Sequence, residues 1–184
     1  MIFASTSNIG LIRKENQDAL GYLKTDSGEL FVVCDGVSGL PNGALASKTV
    51  VDSILAVFSS NTKGRPEIQV QTAMQKAQNA VMNTNPKPLG TTVVAVYLLE
   101  GTAYAGWCGD SRIYHFRDHD IRWMSRDHNV LHDILNKGGS RGSIFLNPQA
   151  LNRFFGSEFE VKSEFYSFIV EPGDQILLCS DGLS

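Results

Sequence analysis

The sequence predicts an α+β fold in which two mainly antiparallel sheets stack and are flanked by helices. Two observations lead there. Strand-like runs at both ends of the chain enclose one pair of helical patterns, so strands and helices fall into separate blocks rather than alternating. Several of the strand-like runs, such as Leu30-Phe31-Val32-Val33-Cys34, are apolar almost without interruption, which calls for cover on both faces. The 184 residues suit one domain, 1–184, with a sizeable core. At 42% hydrophobic and 19% charged residues, the composition is that of a soluble globular chain.

The elements follow in order. Residues 1–5 read as a short opening strand and 8–17, polar and Gly-containing, as a loop. Residues 19–24 and 29–34 read as strands joined by a turn at Thr25-Asp26-Ser27-Gly28. In 44–58, Val50, Val51, Ile54, Leu55, Val57 and Phe58 form a broad apolar face at helical spacing, and Pro41-Asn42-Gly43 punctuates its start. Pro66 fits the first turn of a second helix to about residue 83, with Val70, Ala73, Met74, Ala77 and Val81 three and four apart. The two helices are expected to pair and cover one sheet face. Residues 91–99, 103–108 and 112–116 are β-rich runs with short turns, read as a meander, and 122–124 adds a short strand. Residues 129–137 look helical and 138–143 irregular. Residues 161–170 and 175–179 close the reading as strands, with Pro172-Gly173-Asp174 between them.

Charge and cysteine content exclude some functions. The net charge of −3 gives no global basic character to drive nucleic-acid binding. No apolar run approaches membrane-spanning length, and the N-terminus lacks the basic region of a signal peptide. Cys34, Cys108 and Cys179 are too few and too dispersed for a disulfide framework, which points to a reducing, cytoplasmic setting. No CxxC or HxxxH spacing supports zinc.

The chemistry lies in a pattern written three times, an apolar run that ends in an aspartate within a Gly-containing turn. Cys34 leads into Asp35-Gly36, Cys108 into Gly109-Asp110-Ser111-Arg112, and Cys179-Ser180 into Asp181-Gly182. Carboxylates at the ends of buried strands are costly unless something positive meets them. Three in equivalent positions suggest a shared cation, and hard oxygen donors without His favour Mg²⁺ or Mn²⁺. A turn aspartate is the ordinary reading of any single Asp-Gly, but the recurrence argues against it. Arg13, in Arg13-Lys14-Glu15-Asn16-Gln17-Asp18, carries a guanidinium able to grip a phosphate. The rival reading of Gly109-Asp110-Ser111-Arg112 is a tight hairpin with an exposed Arg. In Ser125-Arg126-Asp127-His128, His128 is read as bracing its loop in preference to transferring protons. A haloacid dehalogenase type of phosphatase needs a second Asp two residues after the first; position 37 is Val and 183 is Leu.

Taken in order, Arg13-x-x-Asn16-x-Asp18, Val33-Cys34-Asp35-Gly36-Val37-Ser38-Gly39, Gly90-Thr91-Thr92, Gly109-Asp110-Ser111-Arg112, Asp127-His128 and Cys179-Ser180-Asp181-Gly182-Leu183 resemble the metal-dependent serine/threonine protein phosphatases, protein phosphatase 2C or PPM type. The wording around Asn16-Gln17-Asp18 resembles bacterial members, which implies signalling opposite a serine/threonine kinase. The resemblance implies a four-layer α-β-β-α sandwich with a two-metal centre. It implies hydrolysis of phosphoserine or phosphothreonine in proteins by a metal-activated water. Asp35 would bridge two Mn²⁺ or Mg²⁺ ions, the Gly36 carbonyl would bind one, and Asp181 would ligate the second. Asp18 would act through water, Arg13 would hold the substrate phosphate, and Asp110 with Asp181 would match a third, weaker metal site. Residues 129–160 would form a flap.

Two departures stand out. Val37 occupies the position where many relatives carry a His as proposed general acid. The family also continues through a helix and a strand bearing an Asp-Asn pair, so the chain is expected to be C-terminally truncated. The alternative function is a catalytically impaired module that binds phosphoproteins or a kinase.

Overall fold

Thr25 folds the first hairpin. Its backbone N–H and hydroxyl both donate to the Gly28 carbonyl at 2.9 Å, and its Oγ1 accepts from Gly28 N–H at 3.0 Å. This turn joins β1 (Asp18–Lys24) to β2 (Glu29–Asp35) in a computed structural model that describes residues 1–11, 13–60, 64–129, 151–157 and 161–183. Helices α1 (Gly43–Ser59) and α2 (Pro66–Asn83) follow, then β3 (Val93–Leu99), β4 (Thr102–Cys108), β5 (Arg112–Arg117), β6 (Asp120–Met124), β7 (Glu164–Ile169) and β8 (Gln175–Cys179). The strands form an antiparallel five-stranded sheet, ordered β1-β2-β3-β4-β7, and a three-stranded sheet, β6-β5-β8.

The uninterrupted apolar runs find their explanation in β3. Its Val93, Ala95 and Tyr97 face a core built from Val50, Ile54 and Phe58 of α1 and Val70, Met74 and Val81 of α2. Its Val94 and Val96 face the opposite way, into a second core with Trp107, Ile113 and Phe168 that is completed by Ile176 and Leu178. Both pleat faces are therefore buried. Each fully buried large aliphatic side chain contributes roughly 1.5–3 kcal/mol, so the two cores hold the layers together. Pro66 sits in the first turn of α2, where its missing N–H costs nothing, with Glu67 beside the positive end of the helix. Asn42 precedes α1 but makes no side-chain cap. Its Nδ2 donates instead to the carbonyls of Pro86 and Pro88, both at 3.1 Å, tying the start of α1 to the loop after α2.

The second sheet has its own fastener. Asp174, only 1% exposed, accepts from Arg117 Nε at 2.7 Å and Nη2 at 2.8 Å, from Glu171 N–H at 2.9 Å, and lies 2.8 Å from His115 Nε2. The Arg117 guanidinium holds this carboxyl well below the usual carboxylate range.

Three expectations change. Residues 1–5 form no strand; among the described residues they have no ladder partner, and Phe3 instead stacks on Tyr22 with ring centroids 4.7 Å apart. The meander stops at β4. The β3–β4 hairpin is present, but β5 belongs to the other sheet, so Gly109-Asp110-Ser111 is a crossing between sheets and not a hairpin. The β7–β8 connection at Pro172-Gly173-Asp174 crosses in the same way. The helix pair covers one sheet as expected, and the described residues supply three of the four layers. The helix expected at 129–137, beyond Asn129, and the irregular stretch 138–143 lie outside the described residues, as does most of the expected flap. Among the described residues no helix is long and apolar enough to cross a membrane.

Candidate metal centre

The β1–β2 register sets Asp18 directly opposite Asp35. Like charges facing each other across a strand pair repel, so both carboxylates need firm placement. Around Asp35 this comes from the threonine pair. Asp35 N–H donates to Thr92 Oγ1 at 3.1 Å, while its carbonyl accepts from Thr91 Oγ1 at 2.9 Å and from Thr92 N–H at 2.8 Å. Asp18 N–H donates to Asn16 Oδ1 at 3.0 Å, and Ser180 Oγ donates to Asp18 Oδ2 at 3.1 Å. Ser180 directly follows β8 and precedes Asp181, so this bond joins the two sheets where their acids converge.

Burial is the largest cause that pushes the Asp35 carboxyl up, to about 8, followed by the charges of Asp18 and Asp181 and hydrogen bonds to both. Asp110 is pushed up to about 6, again by burial first and then by Asp181. The acids thus form a repelling chain, Asp110, Asp181, Asp35, Asp18. Asp181 is exposed and the other three half-buried.

The backbone at Gly36 is as tightly set as the acids. A Cβ there would lie 2.5 Å from the carbonyl carbon of Gly43, a backbone atom that has no rotamer to move. Gly36 is buried, and its N–H donates to the Gln17 carbonyl at 3.1 Å, next to Asp18.

The crossing turn is fastened on three sides. Ser111 Oγ lies 2.6 Å from Thr92 Oγ1. Arg112 grips Asp127 bidentately, Nε to Oδ1 and Nη2 to Oδ2, both at 2.8 Å. Gly109, at φ +115°, is held by His128: its N–H donates to Nδ1 at 3.1 Å and its carbonyl accepts from His128 N–H at 2.9 Å. The hairpin reading with an exposed Arg112 is therefore replaced by a braced crossing that presents Asp110. Arg13 stands apart from the acids in hydrogen-bonding terms. It is exposed, and its Nη2 donates to Ser38 Oγ at 2.6 Å, in the loop that follows Asp35-Gly36.

The donor set suits hard divalent cations. It is entirely oxygen, and the upward push on the Asp35 and Asp110 carboxyls reflects a crowding of like charge that a cation would relieve. Cys34 and Cys108 are buried, and burial pushes both thiols up, Cys108 to about 12, which disfavours thiolate ligation. Among the described residues no three His, Cys, Asp or Glu side chains stand together closely enough to hold a metal ion. The fit therefore rests on the repelling chain of acids.

The fold and this ordered set of residues coincide with a known family. The protein phosphatase 2C family model matches residues 13–184. The chain belongs to the protein phosphatase 2C family. The phosphatase is 28% identical to the serine/threonine phosphatase stp of Listeria monocytogenes, over 95% of this chain and 75% of that relative. Its fold superposes on the crystal structure of a bacterial serine phosphatase with a TM-score of 0.83 at 25% identity, covering 96% of this chain and 76% of that one. The catalytic domain of serine threonine protein phosphatase PstP, in complex with two manganese ions, gives a TM-score of 0.76 at 23% identity, covering 95% and 75%. The phosphatase is thus an enzyme of the bacterial PPM type with the two-sheet architecture of those structures.

Several positioning groups of the phosphatase had weak sequence signals. Thr91 and Thr92 appear in the motif order, but nothing in the sequence tells which backbone groups their hydroxyls meet. Ser111, Ser180 and the Gln17 carbonyl gain meaning only once the sheets are stacked.

Proposed function

We propose that this phosphatase hydrolyses phosphoserine and phosphothreonine in proteins with two divalent cations, Mn²⁺ or Mg²⁺, held at the junction of the two sheets. The observation that carries this reading is the meeting of Asp18 and Asp35 across the β1–β2 register, tied by Ser180 to the turn of Asp181, with burial, Asp18 and Asp181 together pushing the Asp35 carboxyl up. A half-buried carboxylate flanked by two others at the ends of three strands is costly to the fold and useful to a cation site.

Asp35, the Gly36 carbonyl and Asp181 would hold the cations, with Asp18 acting through water and Asp110 with Asp181 serving a third, weaker site. Bound there, divalent ions lower the pKa of water and neutralise phosphoryl charge, which matters because phosphate monoesters are among the slowest of uncatalysed hydrolyses. The chain's own residues do the rest. The Thr91–Thr92 pair fixes the Asp35 backbone, Ser180 orients Asp18, and Gly36 permits close approach of the chain. Arg13, which reaches the loop after Asp35, would turn its guanidinium to the substrate phosphate. Val37 offers no proton, so the leaving alkoxide would draw its proton from water or another residue.

Substrates of this kind imply a serine/threonine kinase that makes them. Three buried, unpaired thiols support a reducing cytoplasmic setting.

The test is turnover of phosphoserine and phosphothreonine peptides with Mn²⁺, Mg²⁺ or EDTA, for the wild type and Arg13→Ala. The reading expects cation-dependent release of phosphate and a raised KM in Arg13→Ala. Phosphate release that persists in EDTA would overturn it.

A further inference from the structure

The turn that carries Asp110 is held by a buried histidine in a single tautomer. His128 is 2% exposed and lies flat against Trp107, with ring centroids 6.4 Å apart and planes 18° apart. Gly109 N–H points at His128 Nδ1 at 3.1 Å, and an N–H donor requires a lone pair there. The imidazole hydrogen therefore sits on Nε2, which lies 3.2 Å from Glu164 Oε1. Glu164 opens β7 and also meets Arg153 Nη1 at 3.4 Å. The peptide N–H against Nδ1 is what fixes the tautomer; the Glu164 carboxylate lies near Nε2 without the geometry of a hydrogen bond.

What His128 holds is specific. It bonds both polar backbone groups of Gly109, the residue before Asp110, in a left-handed conformation at φ +115°. A Cβ at Gly109 would lie 2.6 Å from Thr92 Cβ, so Thr92 blocks the turn from one side while His128 ties it from the other. Ser111 is fastened to Thr92 and Arg112 to Asp127. Gly109, Ser111 and Arg112 are each committed, which fixes the backbone that carries the Asp110 carboxylate, near enough to Asp181 to feel its charge.

We propose that His128 is a positioning residue for the cation site of Asp110, acting through its Nδ1 acceptor on Gly109. The proposal rests on the reading of Asp110 as a cation ligand. His128 touches neither substrate nor cation.

Three substitutions separate the ring's roles. Asn places an acceptor, Oδ1, near the position of Nδ1. Gln places its polar end near Nε2. Leu supplies neither. The experiment measures Mn²⁺ binding by calorimetry and phosphothreonine-peptide kcat/KM for wild type, His128→Asn, His128→Gln, His128→Leu and Asp110→Asn, with circular dichroism melts to establish folding. Outer groups that orient a metal ligand typically carry about 10- to 100-fold in metal affinity. The expected result is that loss for the weaker Mn²⁺ site in His128→Leu and His128→Gln, with His128→Asn within a few-fold of wild type. Leu at wild-type affinity, or folded Asn no better than Leu, overturns the proposal. If Leu fails to fold, the Asn-to-Gln comparison carries the test. Side-chain ¹⁵N spectra of the metal-free protein give a second, independent reading: the Nε2–H tautomer is expected, and the Nδ1–H tautomer overturns the proposal. Unchanged Mn²⁺ binding in Asp110→Asn would remove Asp110 from the ligand set and overturn the proposal together with the reading it rests on, whereas loss in Asp110→Asn with wild-type binding in His128→Leu overturns the proposal alone.

Discussion

Asp18 and Asp35 face each other across the first strand pair, the first residue of β1 against the last of β2. The pairing register alone brings them together, and nothing in a two-stranded ladder relieves their repulsion. The fold answers with a raised Asp35, at about 8.

This arrangement predicts an inverted pH response in the metal-free protein. The folded value of Asp35, about 8, lies above the unfolded carboxylate value of roughly 4. The folded state therefore binds more protons between those limits. The contribution of Asp35 to stability is fully present below the unfolded value and is lost as pH rises through about 8. Urea denaturation in EDTA at pH 5 and pH 8, for wild type and Asp35→Asn, isolates it. The wild type should lose more stability than the variant on going to pH 8. An equal loss in both would contradict the assignment.

Gly36→Ala tests the close approach at the acid turn. The added Cβ meets the Gly43 backbone at 2.5 Å, at the start of α1. Overpacking of this kind costs about 1–3 kcal/mol, and here it also displaces Asp35. Urea denaturation should show that loss together with reduced turnover. A variant as stable and active as wild type would show that the turn relaxes freely.

Thr92→Val keeps the shape and removes the hydroxyl that accepts from Asp35 N–H and meets Ser111. Leaving those partners unsatisfied should cost about 1–3 kcal/mol. Turnover should fall more than stability alone explains, because Asp35 and the Asp110 turn lose their common anchor. The comparison is kcat measured well below the melting temperature.

Asp174→Asn serves as a distant contrast. Asp174 precedes β8 and Asp181 follows it, so the two sit at opposite ends of one strand. Removing the buried carboxylate from Arg117 and His115 should cost about 3 kcal/mol, as breaking buried ion pairs does. Mn²⁺ affinity of the folded variant should match wild type. Calorimetry on the folded variant checks this.

Much of this architecture was legible in the residues. The helical spacing in α1 and α2, the apolar runs of β2 to β4, and the three strand–Asp turns are local patterns, and local patterns survive in sequence. Sheet membership did not. The residues around Gly109-Asp110-Ser111 satisfy a hairpin turn as well as a crossing, and only the packing of Ile113 against Val94 and Val96 separates them. The expected strand at 1–5 failed because strand propensity means little without a partner to complete the ladder. His128 was read as a brace for its own loop, whereas the turn it bonds, at Gly109, lies 19 residues away and depends on both sheets being in place.

The most direct test of the central claim pairs two readings on one sample. Mn²⁺ is titrated calorimetrically into chelator-treated protein, and phosphothreonine-peptide turnover is followed on the same preparation, for wild type and Asp35→Asn. The account predicts that wild type binds Mn²⁺ and gains turnover as it does so, and that Asp35→Asn, though folded, loses both. Turnover in Asp35→Asn equal to wild type, or wild-type turnover with no Mn²⁺ bound, would contradict it.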